Sequence, residues 1–337
     1  MNKKTFRDKA IAKQIAWRKS VCSDISSEEW GLYNKTEYEH IVPKEKWQET
    51  LWSEIRDILP AYLKESTIQR HSAVNHLNSS WALCANLYFP VRIYPFMKDI
   101  MLGFLRQKIS PSIVSIDEIE MEFSFPDGDQ LNPSILLGEK NGNRGTGQTS
   151  PDIALVVSTN SGKGVLLTEC KYTEDNFYPC SARRKDDRLG NPDPLRCIVK
   201  ADLTCYHDIC HQLKWKRQYW KIILLSKDGN HVLNRCPAAT DGYQLFRQQA
   251  LAEGIAASGR YDFVANTVAY DKDNTPLINC LRTTGVPDWI NDWGKMFDGK
   301  TLFKAWTHQE WVQFVRENQQ NGQCDDWLRY VHSRYGY

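Results

Sequence analysis

The sequence predicts an α/β protein, a mixed central sheet flanked by helices, with helical additions at both ends. Three observations carry this. Between 116 and 125 apolar and acidic residues alternate, the period of a half-buried strand. The stretches 153–157 and 165–167 are unbroken apolar runs of the kind central strands show. On either side of these strands the apolar period lengthens to that of a helix.

Taken in order, the chain opens with amphipathic helical patterns over 3–19 and 45–64, the second bent or broken at Pro60. Ser79 and Ser80 offer N-caps for a helix through Trp81, Leu83, Leu87 and Tyr88, and helical character resumes over 91–108 after Pro90. In the alternating strand, Ile119, Met121, Phe123 and Phe125 fall on one face and Glu118, Glu120 and Glu122 on the other. A polar, glycine-rich loop spans 126–150, and 160–164 makes the turn between the two apolar runs. Helices over 207–225 and 243–257 and a strand over 261–270 follow. Trp289, Trp293, Trp306, Trp311 and Trp327 lie in short helical patterns, which places them in packing against the sheet. No internal repeat or low-complexity linker interrupts the chain. We read 1–69 as an N-terminal helical extension, 70–272 as the core and 273–337 as a helical, Trp-rich segment, together one compact unit.

With 337 residues, 41% apolar and 25% charged, the chain can bury a sizeable core. No run of eighteen apolar residues exists, and Arg7, Asp8 and Lys13 interrupt the region where a signal peptide needs an apolar stretch. The expectation is a soluble, cytoplasmic protein with no membrane partner. Ten cysteines in no tight framework are expected to be reduced thiols. A net charge of +2 argues neither for nor against a polyanionic partner. Locally, however, 178–222 holds ten Lys or Arg against five Asp, mixed with Tyr206, Trp215, Tyr219 and Trp220. Lys214, Lys216, Arg217 and Lys221 are candidates for phosphate contacts, with the aromatic rings turned inward.

The chemistry concentrates at two strand ends. Asp152 opens one apolar strand; Glu169 and Lys171 close the next, one residue apart and so on one face. Neighbouring carboxylates repel unless a cation sits between them, which suggests magnesium or manganese. Phosphodiester hydrolysis needs an acidified water, a Lewis acid on the phosphoryl oxygen and positive charge where the transition state turns negative. Asp152 and Glu169 suit the metal, Lys171 the oxyanion, and Glu122, or less favourably Glu120, a third ligand. The plain alternative is a solvated Glu169–Lys171 pair and a turn aspartate after Pro151.

Through Pro151-Asp152 and Glu169-Cys170-Lys171 the sequence resembles the PD-(D/E)xK, or restriction-endonuclease-like, nuclease superfamily. Residues 167–174 (Leu-Thr-Glu-Cys-Lys-Tyr-Thr-Glu), 243–247 (Tyr-Gln-Leu-Phe-Arg) and Asn78-Ser79-Ser80 ahead of Asn86 are similar to a group of bacterial restriction-endonuclease-like proteins. The resemblance implies a core of helix, three-stranded meander, helix and strand over 70–272. It implies a divalent-metal-dependent endonuclease acting on DNA in restriction or defence, with a homodimer natural for cutting both strands. That family often places an acid on the first core helix. Here the helix offers Asn86, so Glu122 would have to substitute. The rival expectation is a catalytically silent module of the same fold that binds nucleic acid or protein.

Other signals are weaker. Residues 142–149 come within one residue of a phosphate-binding loop, but Gln148 stands where lysine belongs and a strand follows, so we read a loop beside the site. Cys180, Cys197, Cys205 and Cys210, near His207 and His211, are a candidate structural zinc or iron–sulfur site that lacks paired Cys-x-x-Cys knuckles. Gln244 and Arg247, about one turn apart, share a helix face that could reach the site or a phosphate. Glu174 is equally open, and Ser80 and Asn86 read as a cap and a buried hydrogen-bonding residue.

Overall fold

The computed structural model describes residues 4–21, 29–183, 190–198 and 206–337. Helix α1 (Phe6–Val21) is followed by a hairpin, β1 (Gly31–Tyr33) and β2 (Thr36–Tyr38), that the sequence reading missed. Strands of three residues are too short for alternation to register. Their turn, Asn34-Lys35, takes φ of 49° and 66°, as a two-residue hairpin turn requires, and only Asn34 hints at it. Gly31 is obligatory, since a Cβ there would stand 2.3 Å from the Val42 carbonyl oxygen.

The pattern over 45–64 is not one helix. It forms two 3₁₀ segments, Lys44–Thr50 and Ser53–Ile55, before α2 (Ile58–Glu65). Pro60 lies in the first turn of α2, where its missing N–H costs nothing, so it does not break the helix. Likewise α3 (Ser80–Ile93) runs through Pro90, and the break before α4 (Pro95–Lys108) falls at Tyr94, which Pro95 forces into extended backbone. Pro90 leaves the Asn86 carbonyl without its helical donor; the Trp327 indole N–H donates to it instead at 2.9 Å.

The central sheet has five strands in the order β3 (Ile113–Met121), β4 (Ile153–Thr159), β5 (Gly162–Lys171), β6 (Phe263–Tyr270), β7 (Leu302–Thr307). The first three are antiparallel and the last two join in parallel, as long crossovers demand. Helix α5 (Tyr243–Ser258) makes the crossover from β5 to β6. Gln248 on α5, 2% exposed, donates to the Leu167 carbonyl and to Asn266 Oδ1, fixing the helix to both strands. Strand β7 was not anticipated, and Trp306 lies on it rather than on a helix. Phe303 and Trp306, three residues apart, imitate helical spacing but point to opposite faces of a strand covered on both sides.

Two cores sandwich the sheet. One gathers α2, α3 and α4 with α6 (His308–Asn318) and α7 (Asp325–Tyr335); the other gathers α5 with Trp289, Trp293 and the turns around Tyr219. Ile119 and Met121 belong to the first core but Phe123 and Phe125 to the second, against the single face expected. The cause is Glu122, whose φ of 47° ends β3 and reverses the alternation. The helix expected over 207–225 is also absent. Residues 206–222 form short segments, Tyr206–Ile209, His211–Trp215 and Tyr219–Ile222, interrupted at left-handed Lys216, where the Gln218 N–H donates to the Leu137 carbonyl.

Arg334 on α7, 0% exposed, ties the ends of the chain together. Its guanidinium donates to Gln14 Oε1 of α1 at 3.0 Å, to the Leu77 carbonyl at 3.2 Å and to the Thr50 carbonyl, and lies over the Trp17 ring. Removing it strands these buried acceptors. Arg334→Ala is therefore expected to lower the unfolding free energy by about 3 kcal/mol, read as a fall in the urea midpoint; an unchanged midpoint would contradict the assignment.

Candidate active site

Register builds the site. Ile153 pairs with Thr168, so Asp152, just before β4, stands beside Glu169 near the end of β5. One Asp152 oxygen accepts the Cys170 N–H at 2.7 Å. Lys171, 2% exposed, donates to Glu169 Oε1 at 2.7 Å and to Gln244 Oε1 at 2.8 Å. Left-handed backbone at Glu122 turns a third acid, 5% exposed, into the same cleft. Glu120 points elsewhere and pairs with Arg144 at 2.7 Å. The cleft, of about 620 Å³, is lined by these four residues together with Lys44, Arg70, His71, Trp81, Glu174, Tyr178 and Arg247.

Charge in this cleft is unbalanced. Desolvation, and then the Glu169 charge, push Glu122 up to about 8. Desolvation, then Glu169 and Glu122, hold Asp152 well above the usual carboxylate range. Burial works against the charge on Lys171, but Glu169, Glu174 and Asp152 outweigh it and keep the ammonium protonated. One ammonium thus faces several carboxylates. At neutral pH burial favours the protonated forms of Glu122 and Asp152; oxygen donors crowded in this way are the chemistry of a hard divalent cation, whose charge would favour their ionised forms. One further polar atom of the wall, Gln148 Oε1, is buried and unpartnered among the described residues, and the Trp81 indole acts on the Glu122 carboxyl as a hydrogen-bond donor. Among the described residues no three acidic, histidine or cysteine side chains already surround an ion-sized point. The fit is one of charge and donor type, with Asp152, Glu169 and Glu122 as the residues that could hold the ion.

The glycine-rich loop forms a wall of the cleft from Gly145 to Ser150. It is pinned by Glu139, which accepts from the Thr149 hydroxyl at 2.6 Å, the Tyr219 hydroxyl at 2.7 Å and Arg247 Nε at 3.2 Å. Gln244 and Arg247 of α5 both reach the cleft, Arg247 already paired with Glu139. Lys214 and Lys216 are exposed and Arg217 donates to the Gly138 carbonyl; none of the three lines the cleft. Glu174 accepts the Tyr172 N–H at 2.9 Å and the Ser80 hydroxyl, so Ser80 is a cleft residue, and Ser79 takes the N-cap position. Asn86 is structural: it accepts the Trp52 N–H at 2.6 Å and donates to Thr50 O and Tyr335 Oη.

Cys180, Cys197 and Cys210 are buried thiols of the second core, and Cys205 lies outside the described residues. Gln212 donates to Cys180 Sγ at 3.1 Å, and burial raises Cys197 to about 11 and Cys210 to about 12. Among the described residues no group of three or more histidine, cysteine or acidic side chains is placed to hold a metal ion.

Sequence reasoning passed over His71, Trp81, Glu139, Tyr178 and His308. His71, Trp81 and His308 come from segments far from the motif, and Glu139 is one of several charged residues of the glycine-rich loop, beside Asp127, Asp129, Lys140 and Arg144, with nothing in the sequence to single it out. His308 is 0% exposed and holds the end of β5: Nε2 donates to the Lys171 carbonyl at 3.0 Å. A carbonyl can only accept, so Nδ1 is the acceptor of the Tyr88 hydroxyl at 3.0 Å, and Tyr88 accepts the Trp306 indole N–H at 3.1 Å.

The cleft sits in a sheet that is antiparallel through its first three strands and parallel thereafter, and this is a restriction-endonuclease-like core. The chain belongs to the family described as restriction endonuclease associating with ARP, whose model matches residues 5–336. No curated protein and no solved structure matches it. No described helix is long and apolar enough to cross a membrane.

His308 gives a pH test. Burial lowers it from 6.5 to about 4, so the fold keeps it neutral. A depressed folded value means full stability above the unfolded value and loss as pH falls from 6.5 towards 4. Urea unfolding should show wild type losing roughly 3 kcal/mol more than His308→Gln between pH 7 and pH 4. Parallel pH curves would refute a neutral, buried His308.

Proposed function

We propose that this protein is a divalent-metal-dependent endonuclease that hydrolyses phosphodiester bonds of DNA, acting in restriction of foreign DNA. The observation that carries the reading is the meeting of Asp152, Glu169, Glu122 and Lys171 at an open cleft whose walls also carry Lys44, Arg70 and Arg247. Membership of a restriction-endonuclease family supports it.

Lys44, Arg70 and Arg247 lie along the cleft, where they would meet backbone phosphates without reading sequence. Asp152, Glu169 and Glu122 would hold Mg²⁺ or Mn²⁺. Bound there, the ion supplies a Lewis acid for the phosphoryl oxygen and the attacking water. Lys171 stays protonated at neutral pH, so its part is to orient the water and neutralise the charge that builds on phosphorus oxygens. Gln244 holds the ammonium in place from α5 at 2.8 Å. Arginine would spread the charge over a planar fork and lose the pairing with both Glu169 and Gln244.

Purified protein is expected to cut duplex DNA with magnesium and not with a chelator. Asp152→Ala and Lys171→Ala should each lower the rate at least ~100-fold, and Lys171→Arg should not restore it. Undiminished cutting in either alanine variant rejects the site. Absence of magnesium or manganese binding by calorimetry, together with unimpaired DNA binding by Asp152→Ala, would favour a silent binding module.

A further inference from the structure

One exposed feature outside the cleft remains without a role. On the β1–β2 hairpin, ladder partners share a face, so Tyr33 and Tyr38 lie on one side and Leu32 with Glu37 on the other. Tyr33 is 53% and Tyr38 38% exposed, large values for aromatic rings. The two tyrosines continue into a chain of rings, each edge-to-face with the next: Tyr33 with His76 at 5.5 Å, His76 with His40 at 6.4 Å, and His40 with Tyr38 at 5.5 Å. Desolvation, then its His40, His71 and Arg7 neighbours, lower His76 to about 4, and burial lowers His40. Both imidazoles are therefore uncharged near neutral pH and act as rings, not cations.

This patch adjoins the cleft. The Gly31 N–H donates to the Ile41 carbonyl at 2.8 Å, Ile41 bridges to His76, and Lys44 and His71 of the same two segments line the cleft wall. Exposed Arg7 of α1 lies close enough to act electrostatically on His40, on His76 and on Tyr178 at the cleft mouth. Lys44 and Arg70 supply further positive charge on the way in, and Glu39, the nearest acid on β2's exit, is tied to Lys19 at 3.3 Å.

The geometry points to a binding platform for unpaired nucleotides: the Tyr33–His76–His40–Tyr38 rings stack bases of a single-stranded DNA segment whose backbone runs past Arg7 into the cleft. This rests on the nuclease reading of the cleft and names its substrate class, DNA carrying a single-stranded stretch. A duplex turns its base faces inward and offers this surface only phosphates and groove edges. Unpaired bases expose π-faces that stack on aromatic rings whatever their sequence, while the cations take the phosphates.

The test is fluorescence anisotropy in chelator, where no cutting occurs, with the full chain and a labelled single-stranded oligonucleotide or a duplex of equal length. Tyr33→Ala/Tyr38→Ala should weaken single-strand binding about tenfold or more and change duplex binding less than about twofold. Tyr33→Phe/Tyr38→Phe, which keeps the rings, should bind single strands as wild type does. If the alanine pair unfolds at lower temperature, Tyr33→Ala alone is read, since more than half of that side chain is already in solvent. Equal single-strand affinity in wild type and alanine variant overturns the proposal. So do a wild type that does not bind single strands, and an equal loss on duplex, which marks a general or protein-docking surface. Magnesium-dependent cutting of plasmid duplex reads the other claim separately. Cutting with unaltered single-strand affinity sinks only the platform; ring-dependent affinity without cutting sinks only the nuclease.

Discussion

The constraint on which this molecule turns is the crowding of carboxylates where β4 begins and β5 ends. Placing Glu122 and Asp152 beside Glu169 in one cleft raises the energy of the ionised forms of Glu122 and Asp152. Protonation of Glu122 and Asp152 and the Lys171 ammonium relieve it only in part. The protein holds Lys171 against Glu169 and Gln244, spends one Asp152 oxygen on a backbone N–H, and leaves the remainder facing the opening. A fold selected for stability alone would replace such a cluster with apolar groups. The cluster is what the proposed metal-dependent chemistry would require.

The scaffold is arranged to hold that unfavourable cluster still. Gln248 clamps α5 to β5 and β6, Glu139 fastens the glycine-rich wall to Arg247, and His308 grips the Lys171 carbonyl from the opposite core. Each is a buried polar group with its partners supplied, so each resists displacement on its own account. The acids are thus fixed by elements on both faces of the sheet, and neither core alone defines the cleft.

The motif was legible because it is local: Asp152, Glu169 and Lys171 are placed by one tight turn and by the two-residue period of a strand. The three-stranded meander, α3, α5 and β6 were legible for the same reason. Glu122 was named from its place on an alternating strand, whereas it reaches the cleft through a left-handed residue that sequence does not announce. What failed was set by tertiary contact. Strand β7 hides because Phe303 and Trp306 serve different cores, the 206–222 segment is bent by its docking on 137–138, and Pro90 is tolerated because a tryptophan from α7 repairs the helix it damages. Lys214 and Lys216 point outward as expected of a basic run, and with Arg217 they stand outside the lining of the cleft.

That repair has a further consequence. The Asn86 and Leu87 carbonyls of α3 find their donors on Trp327 and Trp311, 241 and 224 residues later in the chain. The helix that contributes Trp81 and Ser80 to the cleft is therefore left with unmet backbone acceptors until almost the whole polypeptide has been synthesised. A partly made chain thus carries Asp152, Glu169 and Lys171 before the tryptophans that complete α3 exist.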